Sequence, residues 1–151
     1  MKLLITLFLS LPFLSGVLYA NSPFLLTKLQ SVYPLVEINT KKIPKKYIAP
    51  LLIKVKETTK ELGIKSEGFS PRPLAIMISH VSVSNALVLK VELMLAEEVK
   101  RLDDAEEVFA LTYQKTDIFE VEDISLLEED LFESVEFLLE LFKEQYIEDN
   151  E

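Results

Sequence analysis

The sequence predicts an α+β domain: a small antiparallel sheet of about four strands, in the order β-α-β-β-β-α, with two long helices packed on one face. Three observations predict it. Leu87, Leu89, Val91, Leu93 and Leu95 recur at every second position with Lys90 and Glu92 between them, the pattern of a strand with one dry face. Leu127, Leu131, Val135, Leu138, Phe142 and Tyr146 recur at alternating steps of four and three, which lines up one face of a helix. Ile48, Leu51, Leu52, Val55 and Leu62 share helical spacing in the same way.

Length and composition bound the rest. A chain of 151 residues with 49% hydrophobic and 27% charged residues is long enough for one domain with a real core and too apolar to be disordered. The formal charge of -9 argues against nucleic acid as a partner, because carboxylates repel phosphate and no basic stripe compensates. Cysteine is absent, which excludes disulfides, thiolate metal sites, a cysteine nucleophile and a lipidated N-terminal cysteine.

In chain order, Met1-Lys2 precedes an apolar run from Leu3 to Leu14, then Ser15-Gly16 and Leu18-Tyr19-Ala20. Residues 1–20 read as a signal peptide with cleavage between Ala20 and Asn21, leaving 21–151 as a single periplasmic domain. An uncleaved inner-membrane anchor over residues 3–20 is the alternative, since a span needs only about 20 apolar residues. Ser22-Pro23 suggests a short helix over Phe24 to Val32, stopped by Pro34, and Leu35 to Asn39 reads as a strand.

The first long helix is expected over Pro44 to Leu62, with Gly63 as its left-handed stop. Pro50 requires a kink, or a start near Ala49. Gly68, Pro71 and Pro73 mark a loop, and Leu74 to Val83 is β-rich with a change of alternation at Ser79-His80 that suggests a bulge. Ser84-Asn85 supplies a turn into a hairpin whose first strand starts at Asn85 and whose second carries Phe109, Leu111 and Tyr113. Ala96 to Leu102 has helix-forming composition. Continued as strand, Asn85 to Leu102 would run about 55 Å, so the hairpin must project beyond the core, which is the preferred reading. Ser125 and Glu128 form a capping-box pattern at the head of a last helix over Leu126 to Asp149. The first helix is lysine-rich and the last acidic, so the two should lie side by side.

Chemistry-bearing patterns are few. His80 is the only histidine, and one imidazole without a matched donor set makes no metal site. Asp103-Asp104, Glu106-Glu107 and Glu128-Glu129-Asp130 lack the glycine bend of a calcium loop and read as solvated faces. Ser79, Ser82 and Ser84 have no glycine elbow around them, and no glycine-rich phosphate loop occurs. No catalytic residue, cofactor or metal is implied. The remaining binding features are the hairpin tip and the sheet face away from the helices, expected to carry Val88, Met94, Val108 and Ala110.

The order strand, helix, three antiparallel strands, helix resembles that of small Gram-negative envelope accessory proteins. The auxiliary components of ABC-type lipid transport systems and the lipopolysaccharide-assembly lipoproteins are the families meant. The resemblance rests on element order and on the long hairpin running into a closing helix, and the lipidated cysteine of those families is missing here. It implies a non-catalytic periplasmic accessory domain that binds another envelope protein, or a lipid, through the open face or hairpin tip. Membrane contact would then come only from the N-terminal segment, if retained. An envelope hydrolase using acidic side chains and a structural homodimer are the alternatives.

Overall fold

The computed structural model describes residues 25–83 and 86–151. The expected signal peptide, its Ala20-Asn21 junction, Ser22-Pro23 and the Ser84-Asn85 turn lie outside the described residues. The elements are β1 (Tyr33–Ile38), α1 (Ile48–Glu61), β2 (Pro73–Val83), β3 (Ala86–Lys100), β4 (Glu107–Glu120) and α2 (Leu127–Asn150). Among the described residues the sheet has four strands in the spatial order β1-β2-β3-β4. The α+β class and the element order are therefore as expected.

The sheet is mixed rather than wholly antiparallel. β1 pairs parallel with β2, Val36 opposite Ile76, while β2-β3 and β3-β4 are antiparallel. The reason is the connection: α1 crosses over between β1 and β2 and returns the chain to the end where β1 began. Proline at 34 is tolerated because β1 is an edge strand.

Alternation sorts the sheet into two faces. Val36 and Ile38, then Leu74, Ile76 and Ile78, then Leu89, Val91, Leu93 and Leu95, then Tyr113 are all buried on one side. Leu51 and Val55 of α1 and Leu131, Val135, Leu138 and Phe142 of α2 close over them in a single core. α1 lies on β1, α2 lies on β3 and β4, and the helices touch each other. Lys46 pairs with Glu128 at 3.7 Å, Lys54 with Glu136, and Lys143 with Glu61 at 3.3 Å. Each pair is separated by 82 residues in sequence, so the two helices run parallel in a fixed register.

Local chemistry explains the helix ends. A 3-10 turn at Lys45–Tyr47 leads into α1, making Pro50 its third residue. The first four N–H groups of a helix have no intrahelical acceptor, so the proline removes nothing and no kink is needed. At the other end Gly63 has φ +72°, Ile64 N–H donates to Thr59 O at 2.8 Å and Gly63 N–H to Lys60 O at 3.1 Å. That is a Schellman stop.

Three expectations are corrected. Residues 25–32 form a turn and a bridge rather than a helix, with Lys28 at φ 60°. The end of α2 captures the segment: Leu26 N–H donates to Asp149 Oδ2 at 2.6 Å, and Asn150 Nδ2 donates to Leu26 O at 3.2 Å. So short a helix is unstable alone, and these bonds together with burial of Leu26, Leu29 and Val32 decide the conformation. β2 has no bulge at Ser79-His80, because its pairing with β3 runs unbroken from Leu74 to Val83. Its change of alternation marks the end of the covered region, where Val81 and Val83 face the open side. The Ser125-Glu128 capping box does not form either. Leu126 is the N-cap without a side-chain bond, and Ser125 N–H donates to Asp123 Oδ1 at 2.8 Å instead.

Candidate functional site

The uncovered face of the sheet is built from the positions that alternate with the core residues. Register places Leu35, Ala75, Met94 and Gln114 in one row across the four strands. Glu37, Met77, Glu92 and Thr116 form the next, followed by Ser79, Lys90 and Ile118, then Val81, Val88 and Glu120. The middle rows are polar: Lys90 Nζ lies 2.8 Å from Glu92 Oε1, and Gln114 Nε2 donates to the same oxygen at 2.9 Å.

Towards the hairpin tip the pattern changes. The β3-β4 register shifts between Leu95 and Ala96, because Leu95 pairs with Tyr113 and Ala96 with Leu111, leaving Thr112 as an extra residue in β4. Such a bulge moves every residue of β4 between it and the tip to the other face. Leu111 and Phe109 therefore share the open side with Met94 and Ala96, exposed by 52% and 62%. Leu35, 38% exposed, and half-buried Met94 extend the exposed apolar side chains at this end of the face, with Ala75 and Ala96 buried between them and the exposed Glu98 opposite Phe109.

The bulge is clamped from the opposite side. Glu97 accepts from Arg72 Nε and from Thr112 Oγ1, each at 2.8 Å. A carboxylate at the position following Leu95 on the core side marks where the helices no longer cover the hairpin.

The four expected residues are thus divided. Val88 and Met94 lie on the open face, in separate rows, whereas Val108 and Ala110 pair with Val99 and Glu97 on the other face. Leu35, Ala75, Ala96, Phe109 and Leu111 were missing from the expected set. A bulge at Thr112 leaves no apolar signature, although the appearance of Glu97 in phase with Leu93 and Leu95 signals that the dry face ends there.

The other candidates are dispersed. His80 is half-buried on β2, and among the described residues no group of His, Asp and Glu has a metal-holding arrangement. At the tip Arg101 Nη1 sits 3.3 Å from Asp104 Oδ2 and 3.5 Å from Glu106 Oε2. Ser79 lies in the polar row beside Lys90, and Ser82 is exposed.

Concave sites were not foreseen, and one of about 620 Å³ lies beside the end of α1, lined by Ile53, Lys56, Lys60 and Ile64. A groove of about 430 Å³ runs between β4 and the first turns of α2, lined by Asp117, Glu120, Glu122, Asp123, Asp130 and Glu133 together with Phe119, Leu126, Ser134 and Phe137. The backbone and side chain of Ser125 hold the Asp123 carboxyl below the usual carboxylate range. Glu120, Glu122, Asp123 and Glu133 are exposed, unlike a general acid, which is kept protonated by an apolar pocket.

No protein-family model and no curated protein sequence matches the chain. Among solved structures it is similar to a minor lipoprotein from Acinetobacter baumannii, known from a 2.35 Å crystal structure. The two share 8% identity with a TM-score of 0.40, covering 78% of this chain and 91% of that one. Among the described residues no helix is long and apolar enough to cross a membrane.

Proposed function

We propose that the chain is an exported, non-catalytic accessory domain of the cell envelope that binds a protein partner through the open face of its sheet. The observation that carries this reading is the patch formed by Leu35, Ala75, Met94, Ala96, Leu111 and Phe109. It draws on all four strands, including the outer part of the β3-β4 hairpin. A polar rim of both signs, Lys90, Glu92 and Glu37, borders it, as in protein-protein interfaces where an apolar centre is ringed by charge. A lipid chain would need an enclosed pocket, whereas this surface is an open sheet. Export is supported by the leader-like residues 1–20.

The test places a photo-crosslinking amino acid at Leu111 and, as a control, at Ile53, which is exposed on α1. Irradiation of intact cells is expected to give one discrete adduct from position 111 and none from 53. That adduct should disappear when Met94→Glu charges the centre of the patch. The purified adduct partner should then bind the wild-type protein and not the Met94→Glu variant. Crosslinks of equal pattern from both positions would overturn the sheet-face reading, and a mature chain that does not begin at Asn21 would overturn cleavage at Ala20.

A further inference from the structure

We infer that the outer flank of α1, with the groove beside its end, docks onto an anionic membrane surface. Lys56, Lys60 and Lys65 meet the phosphate headgroups and Ile53 enters the apolar layer beneath them. This surface is separate from the open face of the sheet and independent of the reading of that face.

Charge is segregated across the molecule. Residues 25–65 contain nine lysines against Glu37, Glu57 and Glu61, whereas residues 66–151 contain six basic side chains against twenty-two Asp and Glu. The formal charge of -9 thus hides a basic margin, α1 over β1, opposed to an acidic margin of β4 and α2. β4 lies three strand spacings from β1, about 14 Å. That exceeds the Debye length of about 8 Å at physiological ionic strength. A surface approaching α1 therefore meets the local charge rather than the net charge.

The lysines of this flank are available. Lys46 and Lys54 are turned towards α2, where Glu128 and Glu136 pair with them. Ile53, Lys56 and Lys60 follow another flank at steps of three and four, on the side of α1 away from buried Leu51 and Val55. Lys56 and Lys60 are exposed, as is Lys65 beyond the helix, and none of the three has an ion-pair partner among the described residues. They border the groove of about 620 Å³ together with Ile53 and Ile64, and Glu57 and Glu67 are the acidic groups in its lining. Ile53 is 55% exposed in the middle of this basic flank. A basic helix face that leaves a large aliphatic side chain in water suits a bilayer interface, where headgroups attract the lysines and the isoleucine is buried.

Residue type identifies the occupant. Every basic group on this flank is lysine, while Arg72 and Arg101 lie elsewhere, held by Glu97 and by Asp104 and Glu106. An acidic peptide is gripped best by the planar guanidinium fork, which binds two carboxylate oxygens at once. Ammonium groups on flexible stems follow headgroups that diffuse, and each adds attraction without a fixed geometry. The same stems can cover apolar surface around Ile53 while their charged ends reach outward.

The test mixes the protein, as cells process it, with vesicles of phosphatidylcholine alone or of phosphatidylcholine and phosphatidylglycerol in equal parts, and reads co-sedimentation at low and physiological salt. Binding to the anionic vesicles is expected to exceed any binding to the zwitterionic ones and to weaken with salt. Lys56→Gln with Lys60→Gln should lower affinity on the order of twentyfold, about fivefold per lysine. Ile53→Ser should weaken binding at both salt concentrations. Lys100→Gln with Lys115→Gln removes as much positive charge from β3 and β4 and should change affinity less than about twofold. Urea midpoints of both lysine pairs should stay near that of the wild type, since none of the four makes an ion pair among the described residues. Equal losses from the two pairs, or equal binding to the two kinds of vesicle, would overturn the inference. So would a labelled peptide of alternating glutamate and leucine that binds through Lys56 and Lys60 while anionic vesicles do not, because the flank would then be a protein site. A photo-crosslinker at position 53 meets lipid in this arrangement and still gives no protein adduct, so this reading and that of the sheet face fail separately.

Discussion

At the scale of single residues the core turns on Tyr113. Its ring meets Phe142 edge to face, with centroids 5.3 Å apart and planes at 85°, under the middle of α2. Burial pushes the phenol pKa well above its ordinary value, so the folded protein holds the neutral form and the unfolded chain releases the proton first. The contribution to stability is therefore complete below the ordinary tyrosine pKa of about 10 and is lost as pH rises beyond it. Comparing urea midpoints from neutral pH to above pH ~10, the wild type should lose stability more steeply than Tyr113→Phe. Parallel pH profiles would show that Tyr113 ionisation plays no part in alkaline unfolding. Asp123 has the opposite sign. Its carboxyl is held below the usual range by Ser125, so what it contributes is present at neutral pH and is lost as pH falls through its folded-state value.

Among the elements the paired helices were the most readable from sequence, and the reason is physical. A lysine-rich and an acidic amphipathic helix that must cover the same dry face have few ways to avoid each other, and three ion pairs with a common 82-residue separation follow from their parallel run. Partly exposed pairs of this kind contribute at most about 1 kcal/mol each. Lys54→Glu or Glu136→Lys alone should lower the urea midpoint modestly, and the two together should recover most of the loss; a double variant no better than the singles would deny the pairing any role. Other features were not legible. Val36 and Ile38 alternate identically whether β1 runs parallel or antiparallel to β2, so only the α1 crossover decides direction. The Ser125-Glu128 pattern matched a capping box, but Asp123 lies two residues earlier and takes the Ser125 N–H first. Residues 25–32 took their form from Asp149 and Asn150, more than a hundred residues away in sequence. The open face was misassigned at Val108 and Ala110 for a comparable reason, since one unpaired Thr112 reverses the phase of everything between it and the tip.

For the whole molecule, that reversal separates a folding unit from a projecting one. Every buried hydrophobic residue of β3 and β4 lies at or before Ala96 or at or after Tyr113, and between them the hairpin carries half-buried and exposed side chains. What fixes the outer hairpin is its own ladder, the Arg72-Glu97-Thr112 clamp and the Arg101 contacts at the tip. Such a segment adds little to a cooperative core, and retaining it makes sense if its open side meets something else. Replacing residues 97–110 by an Asn-Gly turn would join Ala96 to Leu111, which already face each other across the strands. The shortened protein should keep its far-UV circular dichroism and a urea midpoint close to that of the wild type, because the helices and the dry face lose none of their packing partners. Amide exchange in the intact protein should run in the same direction, with residues 98–109 exchanging well before 89–95. The shortened chain should nevertheless fail to give the adduct expected from the apolar patch, since Phe109 is gone and Leu111 now sits at a turn. Loss of the fold on shortening would make the outer hairpin part of the core, whereas a fold and an adduct both unchanged would show that Phe109 and the outer hairpin are not needed for partner binding.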